Sequence, residues 1–250
     1  MTLALLGALV IGLSLGLLGS GGSILTVPVL VFILQRPEKL AIAESLAIVG
    51  SVACMGALPY ALRKNIHWKS VFFFGLPGML GAYVGACGSY YISGTVQLIV
   101  FAFVMLIVAG VMFFGPPSFD QFAPLQDGIW LTALEGFLVG CLTGFIGVGG
   151  GFLIVPALVL LSHLSMHFAI GTSLIIIAMN SFTGFIEQLF VLSKLQMQVD
   201  WQMIAIIATA GILGSLIGSL VAKKISQIHL RQTFGIGVLV MGIYILINRL

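Results

Sequence analysis

The sequence predicts an all-α polytopic membrane protein built from two inverted structural repeats. Each repeat is a glycine-broken helical hairpin followed by three transmembrane helices, for about 8–10 membrane segments in all. Three observations predict it: a composition almost without charge, a glycine motif written twice, and the placement of the few cationic loops.

Of the 250 residues, 60% are hydrophobic and only 7% are charged, and the mean hydropathy is +1.22. Soluble domains carry roughly 25% charged residues. A spanning helix needs about 20 apolar residues, and the chain offers many such windows with little polar sequence between them. A β-barrel is excluded, because its strands would alternate polar and apolar residues. The net charge of +3 is small and scattered, so no nucleic acid is expected as a partner, and the lysines and arginines read as topology signals. Cys54, Cys87 and Cys141 are far apart in apolar segments, with no CxxC or His/Cys spacing. No metal and no cofactor are therefore expected.

The motif Gly19-Ser20-Gly21-Gly22-Ser23-Ile24-Leu25-Thr26-Val27-Pro28 recurs as Gly147-Val148-Gly149-Gly150-Gly151-Phe152-Leu153-Ile154-Val155-Pro156, 128 residues later. Five glycines repeat in step: Gly12/Gly140, Gly16/Gly144, Gly19/Gly147, Gly21/Gly149 and Gly22/Gly150. The apolar N-terminus has no basic leader or cleavage site, and residues 12–31 recur within the chain, so this stretch belongs to the fold.

The elements follow in order. Residues 2–18 form an apolar helix, the break falls at 19–22, and a second apolar piece covers 23–35. After the corner Gln35-Arg36-Pro37-Glu38-Lys39, spans cover about 40–62, 70–91 and 95–115, with the basic loop Arg63–Lys69 after the first of them. The first repeat is 1–115, the linker 116–127 and the second repeat 128–250. The second repeat copies the order: helix 128–146, break 147–150, piece 151–162, then spans near 166–192, 201–222 and 231–248. Ala41-Ile42-Ala43-Glu44-Ser45-Leu46 matches Ala169-Ile170-Gly171-Thr172-Ser173-Leu174, and Trp68 matches Trp201. Gly78, Gly81 and Gly85 match Gly211, Gly214 and Gly218, a stripe suited to close helix packing.

Charge chooses the topology. If each broken segment crossed once, the Arg63–Lys69 loop and the Lys223–Arg231 loop would lie on opposite sides. If each broken segment re-enters, both loops lie inside, as the positive-inside rule requires. The second arrangement inverts the halves and puts both termini outside. The 13-residue piece 23–35 would span about 20 Å, enough to return from the midplane but not to cross.

A helix starting just after each break presents unpaired N–H groups and the positive end of its dipole. Two such ends converging near the midplane would make an anion site from backbone. The candidate site residues are Gly19, Ser20, Gly21, Gly22 and Ser23 in the first half and Gly147, Gly149, Gly150 and Gly151 in the second. Ser45, Thr172 and Ser173, at the starts of the following spans, either cap those helices or face substrate. Asn180 lies deeper and needs a partner, either a cavity or another helix. Glu44, Glu135 and Glu187 fall in apolar runs; Glu44 and Glu187 are the candidates for proton coupling.

The doubled G-x-GG-x(4)-VP pattern, the A-I-[AG]-x-S-L segment and the loop tryptophans resemble the TauE/SafE family, also called toluenesulfonate uptake permeases. The resemblance covers essentially the whole chain. It implies an inner-membrane carrier of sulfur-containing anions such as sulfite or sulfoacetate, with Gly19 to Ser23, Gly147 to Gly151, Ser45, Thr172 and Ser173 facing substrate. The chain departs from the pattern at Glu44, where a threonine or similar small residue is expected. The function so implied is secondary transport of small sulfur anions, coupled to an ion or proton, since no nucleotide-binding motif is present. The expected partners are a small anionic substrate and the lipid bilayer, with a second copy of the chain as a further candidate. An anion channel or a membrane scaffold is the alternative. An intramembrane hydrolase using Ser20 or Ser23 is the least favoured, because the repeat keeps the glycines and not the hydroxyls, and His67, His163, His167 and His229 lie near loops or ends. No catalytic residue is assigned.

Overall fold

The computed structural model describes residues 2–19, 21–114, 129–147, 150–160, 164–222 and 224–249. Ser20, Gly149, His163, Lys223 and the linker 116–127 lie outside the described residues. Among the described residues the chain is helical, with no strand.

The first half runs α1 (Thr2–Leu18), α2 (Gly21–Pro28), α3 (Glu38–Leu62), α4 (Trp68–Ser89) and α5 (Gly94–Phe114). The second runs α6 (Ile129–Ile146), α7 (Gly151–Leu160), α8 (Met166–Lys194), α9 (Trp201–Ala222) and α10 (Gln227–Arg249). Among the described residues five helices are long and apolar enough to cross a membrane: α3, α4, α8, α9 and the Gly94–Val111 part of α5. With the shorter apolar helices Leu6–Leu18, Gly22–Ile33, Trp130–Ile146 and Gln232–Ile247, the chain is a multi-pass membrane protein.

The helix ends differ slightly from the sequence-based expectation, for local reasons. The last helix begins at Gln227, four residues before the expected start, because the Ser226 hydroxyl accepts the His229 N–H at 3.5 Å in the N-cap manner. Past Pro28 the backbone widens into a π turn over Val29–Ile33. The Leu34 N–H reaches Val29 O at 3.1 Å. Proline has no N–H to continue the tighter ladder.

Helix α2 folds back along α1. Gly22 lies against Ile11 and Leu15, and a methyl on Gly7 would sit 3.3 Å from Val29. Such partners descend α1 as they ascend α2, so the first broken segment is a hairpin that turns back on itself.

Two glycine seams then tie the halves together. Along α1 and α9, a methyl on Gly12 would overlap the Gly211 carbonyl and one on Gly16 the Ser215 carbonyl. Along α6 and α4, a methyl on Gly140 would overlap the Gly78 carbonyl and one on Gly144 the Ala82 carbonyl. Both seams run parallel, and both bring backbone onto backbone, which only glycine permits. The stripe of Gly78, Gly81, Gly85, Gly211, Gly214 and Gly218 therefore does pack helices. Each broken helix thus lies on the fourth helix of the opposite half.

Helices α3 and α8 cross at the centre. Their order is antiparallel: Gly50 faces Ser181, while Gly184 faces Leu46. Both are buried along most of their length.

Charge separates the two ends of the bundle. At one end Arg36, Lys39 and Lys194 sit with Glu38, Glu44 and Asp200. At the other end are Arg63, Lys64, Lys69 and Lys224, with no acid in the described loops there.

Candidate functional site

Helix α1 stops at Leu18 because Gly19 takes φ +74°, a left-handed conformation that glycine adopts without strain. Its N–H still bonds Leu15 O at 2.8 Å. Helix α6 stops in the same way. Gly147 has φ +74° and Gly150 φ +76°, and the Gly147 N–H bonds Thr143 O at 2.8 Å.

In lipid the carbonyls freed at such ends need protein partners. Each break finds them across the molecule. The Ser45 hydroxyl, from the first half, donates to Gly147 O at 3.0 Å and to Ile42 O at 2.7 Å. The Ser173 hydroxyl, from the second half, donates to Gly19 O at 3.5 Å and to Ile170 O at 2.9 Å. A hydroxyl has one hydrogen, so each serine divides it between two carbonyls. Ile42 presses on Gly147 and Ile170 on Gly19, closely enough that neither glycine could carry a side chain unmoved.

Further carbonyls are closed by residues that sequence reasoning missed. The Tyr60 hydroxyl donates to Gly16 O at 2.9 Å, and the Gln97 amide donates to Phe145 O. Ile42 and Ile170 were legible as a matched pair in the A-I-[AG]-x-S-L repeat. Tyr60 has Gln188 at its repeat position, so the repeat carries no signal for it.

The short helices α2 and α7 begin just beyond the breaks and touch one another. Ser23 and Thr26 are buried on α2, and the Thr26 hydroxyl donates to Gly22 O at 2.8 Å. Gly21 and Gly151 are the first residues of their helices. Gly150 O opens α7 by accepting the Leu153 and Ile154 N–H groups, both at 3.0 Å.

Thr172 is one residue from Ser173 but has a different task. Its hydroxyl accepts the His67 N–H at 2.9 Å, anchoring the loop ahead of Trp68. Glu44, its repeat counterpart, does the same for the other loop. One carboxylate oxygen accepts the Asp200 N–H at 3.1 Å ahead of Trp201. That carboxylate is fully buried and pairs with Arg36 at 2.7 and 3.2 Å; Arg36 in turn reaches Asp200 at 3.6 Å. Where the second half supplies a neutral loop anchor, Thr172, the first supplies an ionic one, Glu44. Glu187 lies away from both breaks, half-buried on α8, with Cys87 of α4 as a neighbour.

Asn180 is buried on α8, and neither its amide nitrogen nor its oxygen has a hydrogen-bond partner. A pocket of about 540 Å³ opens elsewhere, beside the α8–α9 loop, lined by Leu189, Leu192, Met197 and Trp201 among others. It is a surface feature of the loop and shares no residue with the breaks.

The family model described as Sulfite exporter TauE/SafE matches residues 4–245. A probable membrane transporter protein of Xylella fastidiosa is 34% identical over 243 residues, covering 94% of this chain and 91% of its own. Another from Methanocaldococcus jannaschii is 27% identical, covering 96% and 94%. The probable membrane transporter protein YunE of Bacillus subtilis is also 27% identical, covering 86% and 87%. No solved structure matches the chain.

Proposed function

The chain belongs to the sulfite exporter TauE/SafE family of membrane transporters, which are not enzymes, and from that premise we propose that it carries small sulfur-containing anions, sulfite or an organosulfonate, by secondary transport. The observation that carries the reading is the pair of glycine breaks, each held by a serine of the opposite half. Helix starts at Gly21 and Gly151 offer backbone N–H groups and the positive end of a helix dipole to one anion. Backbone donors bind without a buried cation, so the anion is held loosely enough to leave.

The cross-bracing also supports alternating access. The serines and glycine seams make each break part of a unit drawn from both halves, so rocking one unit exposes the site to one side at a time. The antiparallel course of α3 and α8, which the sequence repeat makes equivalent, supports inverted halves. The acid-free loops around Arg63, Lys64, Lys69 and Lys224 support that end as the cytoplasmic one of an inner membrane, with both termini outside. Among the acids, Glu187, about two turns from the end of α8, is the candidate we retain for a coupled proton, whereas Glu44 is committed to Arg36 and the Asp200 loop.

Purified protein in liposomes, offered sulfite, sulfoacetate, taurine and thiosulfate, tests the reading. Saturable, gradient-driven flux of at least one sulfur anion is expected. Non-saturable flux would favour a channel, and no flux from folded protein would refute transport of this class.

A further inference from the structure

The two halves offer the same slot to different chemistry. The repeat pairs Asn180 on α8 with Val52 on α3, and Gly78 on α4 with Gly211 on α9. A methyl on Gly211 would sit 2.8 Å from the Val52 side chain. A methyl on Gly78 would sit 3.1 Å from the Asn180 amide nitrogen and 3.2 Å from its oxygen. The same methyl would lie 3.3 Å from the carbonyl of Gly136 on α6. The Asn180 amide therefore points into the seam between α8 and the α4–α6 pair. Val52 is 0% and Asn180 1% exposed. Valine in the counterpart slot shows that packing does not require an amide there. An amide with both ends unpartnered in such a place lowers stability, and polar groups facing the interior of a membrane bundle mark substrate paths.

We propose that Asn180 is a direct ligand of the transported anion, a second station about 10 Å along α8 from Ser173 (seven residues at 1.5 Å each). The inference rests on the transport reading above. The amide N–H pair donates to an oxyanion once the α4–α6 pair draws away from α8. When the seam closes on Gly78 and Gly136, the anion is expelled and the amide is left unpartnered, as it stands here. A neutral donor suits a waypoint, because it holds a negative charge without trapping it. The opposite seam has Val52 in the matching slot and, one turn further, only the small buried hydroxyl of Ser215 beside Gly56, so the two seams are unequal despite the repeated fold.

Anion flux into liposomes, with the same sulfur-anion panel, compares wild type with Asn180→Val, Asn180→Ala and Asn180→Ser. The valine and alanine variants should lose at least tenfold in flux, and the serine variant, which keeps a donor, less. The valine variant should elute as a single species with a thermal midpoint in detergent equal to or above wild type. Wild-type flux in a folded valine variant would overturn the inference alone, leaving the transport reading intact. If the valine variant does not fold, the alanine variant decides by the same criterion. A flux loss that comes with a lowered midpoint in both would also overturn it, since the amide would then be holding the fold. A folded wild type that carries none of the panel would overturn both readings.

Discussion

The loop ahead of Trp68 and the loop ahead of Trp201 hold the same place in the two halves, yet they are anchored by opposite means. Thr172 holds the first with a neutral hydroxyl at 2.9 Å. Glu44 holds the second with a buried carboxylate at 3.1 Å and recruits Arg36. The breaks themselves show the reverse pattern: the glycines, the isoleucine wedge and the serine hydroxyl are the same in both halves. What the halves share is the machinery of the broken helices. What they do not share is how each end of the bundle is closed, and that is where the two sides of the membrane differ.

The largest expected effect tests what is shared. Gly16→Leu should abolish folding, because even a methyl there overlaps the Ser215 carbonyl. Gly237→Ala, where nothing lies within 4 Å, should express and elute as wild type. Size-exclusion profiles of the two variants check this.

The next tests what is different. Glu44→Gln leaves Arg36 without its buried partner and should cost about 3 kcal/mol. Thr172→Val removes one hydrogen bond from the matching place and should cost about 1 kcal/mol. Thermal midpoints in detergent should therefore fall more for the first than for the second; equal falls would mean the ionic anchor adds nothing.

A smaller effect separates the serines. Ser45→Ala removes a 3.0 Å bond to the break carbonyl and Ser173→Ala a 3.5 Å one. The first should be the more destabilising, by about 0.5 kcal/mol, in the same assay.

The smallest is a pH effect confined to the Trp68 loop. Burial first, and then Lys69, hold the His67 imidazole below its ordinary value of 6.5. Its Nδ1 accepts the Ser70 N–H at 3.3 Å as an N-cap, a bond that needs the neutral ring. The folded protein resists protonation while the unfolded chain accepts it. Stability should therefore be full above about pH 6.5, fall as pH drops through the window down to the lowered folded value, and level off below it. His67→Asn, a non-titrating cap, should flatten that part of the midpoint-versus-pH curve.

Much of the fold was legible because it is written twice. Gly19 and Gly147, Ser45 and Ser173, and the glycine seams all recur at fixed offsets, and an interrupted helix in lipid has few remedies. The pairing of each broken helix with the opposite half was not legible, since a repeat shows likeness and not adjacency. Nor was the common task of Glu44 and Thr172. An acid and a hydroxyl look unrelated until the loops that donate to them are in place. Tyr60 and Gln97 close carbonyls that only the three-dimensional course of α1 and α6 brings to them, and neither has a repeated counterpart to draw attention to it.

Under the proposed function the starts of α2 and α7 hold one anion between them. Anomalous diffraction from crystals soaked in selenite, a heavy-atom analogue of sulfite, tests it most directly. One selenium peak is expected within hydrogen-bonding reach of the backbone N–H groups at Gly21 and Gly151. A peak only at the basic loops around Arg63 and Lys69, in protein that still transports, would contradict it.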